Sequence, residues 1–319
     1  MTNSFSSYKL PHPFIFRVEG KDAIRYLHAR LTNDIKKLPI GYSCLAAALT
    51  PQGKTEGIFA CLREGESSYL LQCDGGEAES VQSALKRYIV ADRVSVEIVQ
   101  NGETIFHCSP TIASQIRDVA GISPQVSTHL IPQNPCSILA IIPRNRIGSD
   151  GFDLWVARSD SENSDRNKFF ADSTPFTDVD FEKLRYLSGS PVFPQELNQD
   201  HLLTEAPVDG IVGNNKGCYV GQEVIERIAS RGATPRLLAR FSCNAPHSLP
   251  SGVSLNAIQD DGTREKVGEV CSSMITEGGT LGFASIKRQV DPSTPLFIGD
   301  YSATFSWVSG GIQSEVLHD

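Results

Sequence analysis

The stretch Lys216-Gly217-Cys218-Tyr219-Val220-Gly221-Gln222-Glu223, followed by Arg227, Arg231 and Gly232, decides the reading of this chain. One thiol stands two residues from an ammonium, between glycines, where a helix is about to begin. Thiolate is the reactive form of cysteine, and a neighbouring cation or a helix N-terminus raises its share. The expectation is therefore that Cys218 is a reactive thiol and that Lys216 activates it. None of the other seven cysteines, Cys44, Cys61, Cys73, Cys108, Cys136, Cys243 and Cys271, has such neighbours. They read as small core residues, the usual fate of a lone cysteine.

Downstream of the thiol, Val224, Ile225 and Ile228 mark one apolar face, and Gly232 with Pro235 are stop signals. This predicts a helix from about Gln222 to Arg231, with Glu223 and Arg227 one turn apart in the favourable order for an ion pair. Upstream, Asp22 precedes a one-faced helical spacing at Ala23, Ile24, Leu27 and Leu31. Thr50-Pro51-Gln52-Gly53 reads as a turn between two strands. Tyr69-Leu70-Leu71 reads as a strand, Val81 to Tyr88 as a helix, and Val94, Val96 and Ile98 as a strand. Strand candidates in 101–175 are Ser137–Ile142 and Phe152–Val156, and the polar run Ser159–Asn167 reads as loop. A helix carrying Phe181, Leu184 and Leu187 stops at Gly189-Ser190-Pro191. From about Pro235, short apolar pieces separated by Gly, Pro, Asp and Asn predict an antiparallel β-barrel or sandwich. The fold class is α+β. The boundaries are 1–234 for an α+β region of two subdomains and 235–319 for the barrel.

With 319 residues, 40% hydrophobic and 21% charged content, the chain reads as an ordinary globular protein of more than one core. A formal net charge of −8 argues against a broad phosphate-binding surface and hence against a stable nucleic-acid partner. No apolar run is long enough to suggest a membrane span. The start, Met1-Thr2-Asn3-Ser4-Phe5, does not read as a secretion signal. Scattered cysteines without a CxxC pair, and histidines without HxxxH or HExxH spacing, suggest reduced thiols, a cytoplasmic setting and no dedicated metal site.

The pattern K-G-C-Y-x-G-Q-E with a following R-x-x-x-R-G resembles the signature of the YgfZ-type folate-binding proteins, relatives of the glycine-cleavage aminomethyltransferase. The resemblance extends to Val18–Ala23, Leu27-His28 and Leu31-Thr32-Asn33-Asp34, to Gln52-Gly53-Lys54, and to Leu184-Arg185 with Gly189 and Pro191. It implies an aminomethyltransferase-like multi-domain ring around a tetrahydrofolate site. It assigns Cys218 and Lys216 to the chemistry, and Lys216, Tyr219, Gln222, Glu223 and Arg227 to the folate. It implies a role in iron–sulfur cluster assembly or repair, with client proteins or cluster carriers as partners, rather than that of a standard enzyme. One departure bears on mechanism. Transferase relatives hold the pterin with a carboxylate in L-R-x-E-A-G, and here Leu187 takes that place. A leucine accepts no hydrogen bond and moves no proton. Aminomethyl transfer is thus the weaker alternative, beside a non-enzymatic thiol redox adapter.

Overall fold

The computed structural model describes residues 5–99, 104–112, 138–148, 150–157, 174–232, 234–259 and 262–308, together with 114, 116, 118 and 170. These residues fall into two compact units. The first takes in the described parts of Met1–Ala48, Ile58–Phe181 and Ile211–Tyr219; the second takes in Leu49–Gly57, Glu182–Gly210 and the described part of Val220–Asp319.

The first unit carries two five-stranded sheets. One is built from β2 (Phe14–Glu19), β3 (Ser43–Leu49), β4 (Thr55–Arg63), β5 (Ser68–Cys73) and β6 (Ser95–Ile98), in the order β3-β4-β5-β2-β6. Phe16, Val18, Phe59, Cys61, Tyr69 and Leu71 are fully buried in it, so apolar side chains fill its interior face. The helices α1 (Ala23–Arg30) and α2 (Ala78–Lys86) follow β2 and β5 in the chain. The other sheet contains β1 (Phe5–Lys9), β7 (Thr104–Cys108), β8 (Ile138–Pro143), β9 (Phe152–Val156) and β10 (Thr174–Pro175), in the order β10-β1-β7-β9-β8. Phe106, Ile138, Leu154, Val156 and Phe170 form its core. Intermixed strands and helices are what the alternating periods predict. The turn at Thr50–Gly53 is present, with the Gly53 N–H donating to Thr50 O at 2.9 Å.

The helix α3 (Asp178–Ser188) begins with acidic residues in its first turn, Asp178 and Asp180, and Thr177 Oγ1 accepts the Asp180 N–H. The helix α4 (Gln222–Arg231) belongs to the second unit and has the bounds the sequence predicts. The strands β11 (Arg236–Cys243), β12 (Ser254–Ile258), β13 (Arg264–Thr276), β14 (Gly279–Lys287), β15 (Leu296–Ile298) and β16 (Tyr301–Trp307) close into an antiparallel barrel, order β11-β14-β13-β12-β15-β16. Its interior is packed by Phe241, Leu255, Val270, Ile286, Leu296 and Ile298. The expected C-terminal barrel is therefore present. The predicted loop Ser159–Asn167, and Cys136, lie outside the described residues.

Candidate functional site

In the first unit, the segment that carries Lys216, Gly217 and Cys218 is stitched to the end of α1. Thr32 Oγ1 donates to Ile211 O at 2.6 Å and accepts the Ala47 N–H at 2.8 Å. The Gly213 N–H donates to Thr32 O at 3.0 Å. Asn33 Nδ2 donates to Leu45 O at 2.7 Å. The Leu31-Thr32-Asn33-Asp34 run thus joins the signature segment to β3.

Lys216 completes the stitch. Its ammonium donates to His28 O at 2.7 Å, Leu31 O at 2.5 Å and Asn33 O at 2.8 Å. An ammonium has three N–H donors, so all are spent. Leu31 is the C-cap of α1 and His28 lies in its last turn. The last carbonyls of a helix lack intrahelical partners and carry the negative end of its dipole, so a cation here is doubly favoured. The same Nζ sits 4.7 Å from the centroid of the buried Tyr219 ring. Burial lowers the Lys216 pKa to about 8, against the opposing pull of Asp34. The geometry makes Lys216 an anchor of the segment, a role the sequence does not announce.

Cys218 is exposed, whereas Cys61, Cys73, Cys108, Cys243 and Cys271 are buried and Cys44 is half-buried. Burial pushes the thiols of Cys73 and Cys271 up to about 12 and raises that of Cys108 well above the ordinary thiol value. Next to Cys218, a Cβ at Gly217 would lie 3.3 Å from His28 Nε2, so the segment runs against the imidazole edge. His28 is 7% exposed and its Nδ1 stands 3.4 Å from Asp34 Oδ1. Burial first, and the Lys216 charge second, lower its pKa and keep it neutral. Sequence spacing does not reveal this histidine, because 188 positions separate Lys216 from His28.

The remaining predicted residues, Gln222, Glu223 and Arg227, lie on α4 in the second unit. Gln222 Nε2 donates to Glu226 Oε1 at 2.5 Å. Among the described residues Glu223 and Arg227 form no ion pair with each other, and both are exposed. Gly221 precedes the helix at φ 85°, and a Cβ there would lie 2.7 Å from Thr50 O. Only a glycine fits so close to that carbonyl.

The first unit also buries a charge cluster. Arg146 grips Asp74 with two bonds of 2.8 Å and Asp153 with bonds of 2.9 and 2.6 Å. Arg144 adds a 2.8 Å bond to Asp74, Gln72 binds both carboxylates, and His107 Nδ1 lies 3.1 Å from Asp153. Two acids and two guanidiniums balance, and Asp74 has both oxygens engaged.

A reduced folate presents pterin N–H donors and a tail of glutamate carboxylates. Lys216 has no free N–H for that tail, and Leu187, 48% exposed, offers the pterin no acceptor. Arg227 is an exposed guanidinium without an ion-pair partner among the described residues, and it suits a carboxylate tail. The donor set therefore fits the tail, while no predicted residue here is a pterin carboxylate.

No family model matches the chain. Its fold is similar to the aminomethyltransferase T of the glycine cleavage system from Bartonella henselae, with a TM-score of 0.74 and 16% identity over 98% of this chain and 87% of that one. That is the aminomethyltransferase fold, α+β with a closed antiparallel barrel. The chain is 24% identical to a chloroplastic protein of Arabidopsis thaliana named as a candidate transferase, over 88% of this chain and 65% of that protein. It is thus matched to a little under two thirds of that relative's length. It is 22% identical to the tRNA-modifying protein YgfZ of Vibrio vulnificus, over 90% and 86% of the two chains. It is 26% identical to the mitochondrial iron-sulfur cluster assembly factor IBA57 homolog of Pyricularia oryzae, over 68% and 52%. In sequence the chain is thus similar to YgfZ-type proteins, and its fold is that of the aminomethyltransferase. Among the described residues no helix is long and apolar enough to cross a membrane.

Proposed function

We propose that this protein is an accessory factor for iron–sulfur cluster assembly or repair, presenting Cys218 to a client or cluster carrier. The observation that carries the reading is the contrast between an exposed Cys218 on an anchored segment and five buried cysteines. Lys216 and Tyr219 hold that segment; Cys218 makes the sulfur contact or a mixed disulfide with the client. A single thiolate cannot complete a four-cysteine cluster, so the partner supplies the other ligands.

The same reading includes a reduced folate such as tetrahydrofolate, with Arg227 holding its carboxylate tail and Gln222 and Glu223 beside it on α4. When bound, a reduced folate supplies a one-carbon carrier. Leu187 weighs against aminomethyl transfer as the reaction. The relatives' names include tRNA modification, and a net charge of −8 makes this chain a poor tRNA ligand by itself. A client that acts on tRNA would account for both names. The compartment is a reducing one, the cytoplasm or an organelle with similar thiol chemistry.

The test is the activity of an iron–sulfur enzyme in cells lacking this protein, complemented with wild type or Cys218→Ala at matched expression. Rescue by wild type alone supports both the role and the thiol. Rescue by both variants removes the thiol from the mechanism. An enzyme that never loses activity removes the assembly role.

A further inference from the structure

Strands β3 and β4 are neighbours in their sheet. At the open end of the pair the Arg63 N–H donates to Tyr42 O at 2.9 Å, and the Gly41 N–H donates to Arg63 O at 2.8 Å. Carried two residues inward from Tyr42 and Arg63, that register sets Cys44 across from Cys61. Residues directly opposite on antiparallel strands share a face, and a hydrogen-bonded pair has its Cα atoms about 5.5 Å apart. That lies within the roughly 4.4–6.8 Å a disulfide spans. The side chains agree with this register, because Cys44 acts directly on the Cys61 thiol and raises its pKa. Both cysteines are free in this structure.

The two thiols differ in access. Cys61 is fully buried, and Cys44 is half-buried. The neighbouring Cys44, with burial added, pushes the Cys61 thiol well up. A reagent therefore meets Cys44 first and leaves Cys61 behind it.

We propose that Cys44 and Cys61 are an oxidisable pair that closes to an intramolecular disulfide, with Cys44 as the entry thiol and a hydroperoxide as the oxidant. The Cys44 sulfur attacks the peroxide, the O–O bond breaks, and the alcohol or water leaves as Cys44 becomes a sulfenic acid. The Cys61 sulfur then attacks the sulfenic sulfur. An S–S bond forms, the S–O bond breaks, and the hydroxide leaves as water with the Cys61 proton. Two thiols are oxidised by two electrons in all, and one peroxide is reduced.

The experiment treats the full chain with hydrogen peroxide, blocks the remaining thiols by alkylation and maps cross-linked peptides by mass spectrometry. Cys218→Ser is run in parallel, so that the outcome does not depend on the signature thiol. The expected result is a peptide pair joining Cys44 to Cys61 in both proteins, with loss of two alkylatable thiols, reversed by dithiothreitol. Cys44→Ser and Cys61→Ser should each abolish it. A Cys61 that stays reduced at saturating peroxide, or a Cys44 joined to Cys218 instead, would overturn the proposal. Native hydrogen exchange of each serine variant confirms that the sheet persists.

Discussion

Replacing Lys216 by Met keeps the length of the side chain and removes its ammonium, and the structure says what is lost. The carbonyls of His28, Leu31 and Asn33 each lose a charge-assisted donor, and the C-terminus of α1 loses its cation. Such bonds are worth about 1.5–3 kcal/mol each, and a dipole contact up to about 2. Against this, the half-buried site admits water to the freed carbonyls, and the cost of desolvating the ammonium disappears. A net loss on the order of 3 kcal/mol remains, which for a unit of 150–250 residues lowers Tm by roughly 6–12 °C. The assay is thermal unfolding by circular dichroism, paired with Cys218 alkylation rates across pH. Titration adds a second signature. The folded pKa of Lys216, about 8, lies below the unfolded value near 10.5, so the unfolded chain binds more protons between them. Wild-type stability should therefore gain on that of the variant as pH rises from 8 towards 10.5. A variant with unchanged Tm but an alkylation profile shifted to higher pH would refute the anchor and return Lys216 to thiol activation.

The other predictions bear on the second unit and on the buried charges. Gly221→Ala places a Cβ 2.7 Å from Thr50 O at φ 85°, and should cost about 2–4 kcal/mol. Gly232→Ala, at φ 69° with nothing within 4 Å, should cost only about 1 kcal/mol; chemical denaturation of the two variants side by side checks the order. Asp153→Asn leaves Arg146 with a weakened partner in a fully buried cluster and should cost about 3–5 kcal/mol. Burial alone would raise the Asp153 pKa, but Arg146 overcomes it and holds the carboxyl far below the usual range. Its stabilisation is present above the unfolded carboxylate pKa and is lost only in strong acid, so unfolding in mild acid should be equally steep in wild type and variant. Arg227→Ala should weaken tetrahydrofolate binding about five- to tenfold by calorimetry, the loss of one charge-assisted contact; unchanged affinity would move the carboxylate tail elsewhere.

Sequence reading reached the elements whose signal is local. Five of the six barrel strands, all but β15, were foreshadowed by apolar pieces between turn residues, and α4 by its apolar face and its closing Gly232. It did not reach β1, β2 or β7. Phe14-Ile15-Phe16 is a continuous apolar run without the alternation of a half-buried strand, and Phe5–Lys9 is largely polar. The role of Lys216 was hidden for a different reason. Its partners are main-chain carbonyls, which every residue owns, so no side-chain identity at 28, 31 or 33 could announce them. The Cys44–Cys61 contact needed the strand register, which a bulge at Gly41-Tyr42 sets and no periodicity encodes. The charge cluster joins Asp74 to Arg144 and Arg146 across two sheets of one unit, and such pairing is visible only once the topology is known.

The distribution of burial across the cysteines makes one more prediction, about order. A thiol reacts in proportion to its thiolate share and to reagent access. Burial removes both for Cys73, Cys108 and Cys271, whose thiols it pushes well above the ordinary value. Cys218 is exposed and Cys44 half-buried. Limiting iodoacetamide should therefore label Cys218 first and Cys44 second, while the buried thiols wait for local or global unfolding. Mass spectrometry of timed samples reads the order directly, and a denaturant series separates access from chemistry. If Cys73 or Cys271 were labelled ahead of Cys218 under native conditions, its segment would be shielded in solution, and the thiol reading of the signature would lose the exposure on which it rests.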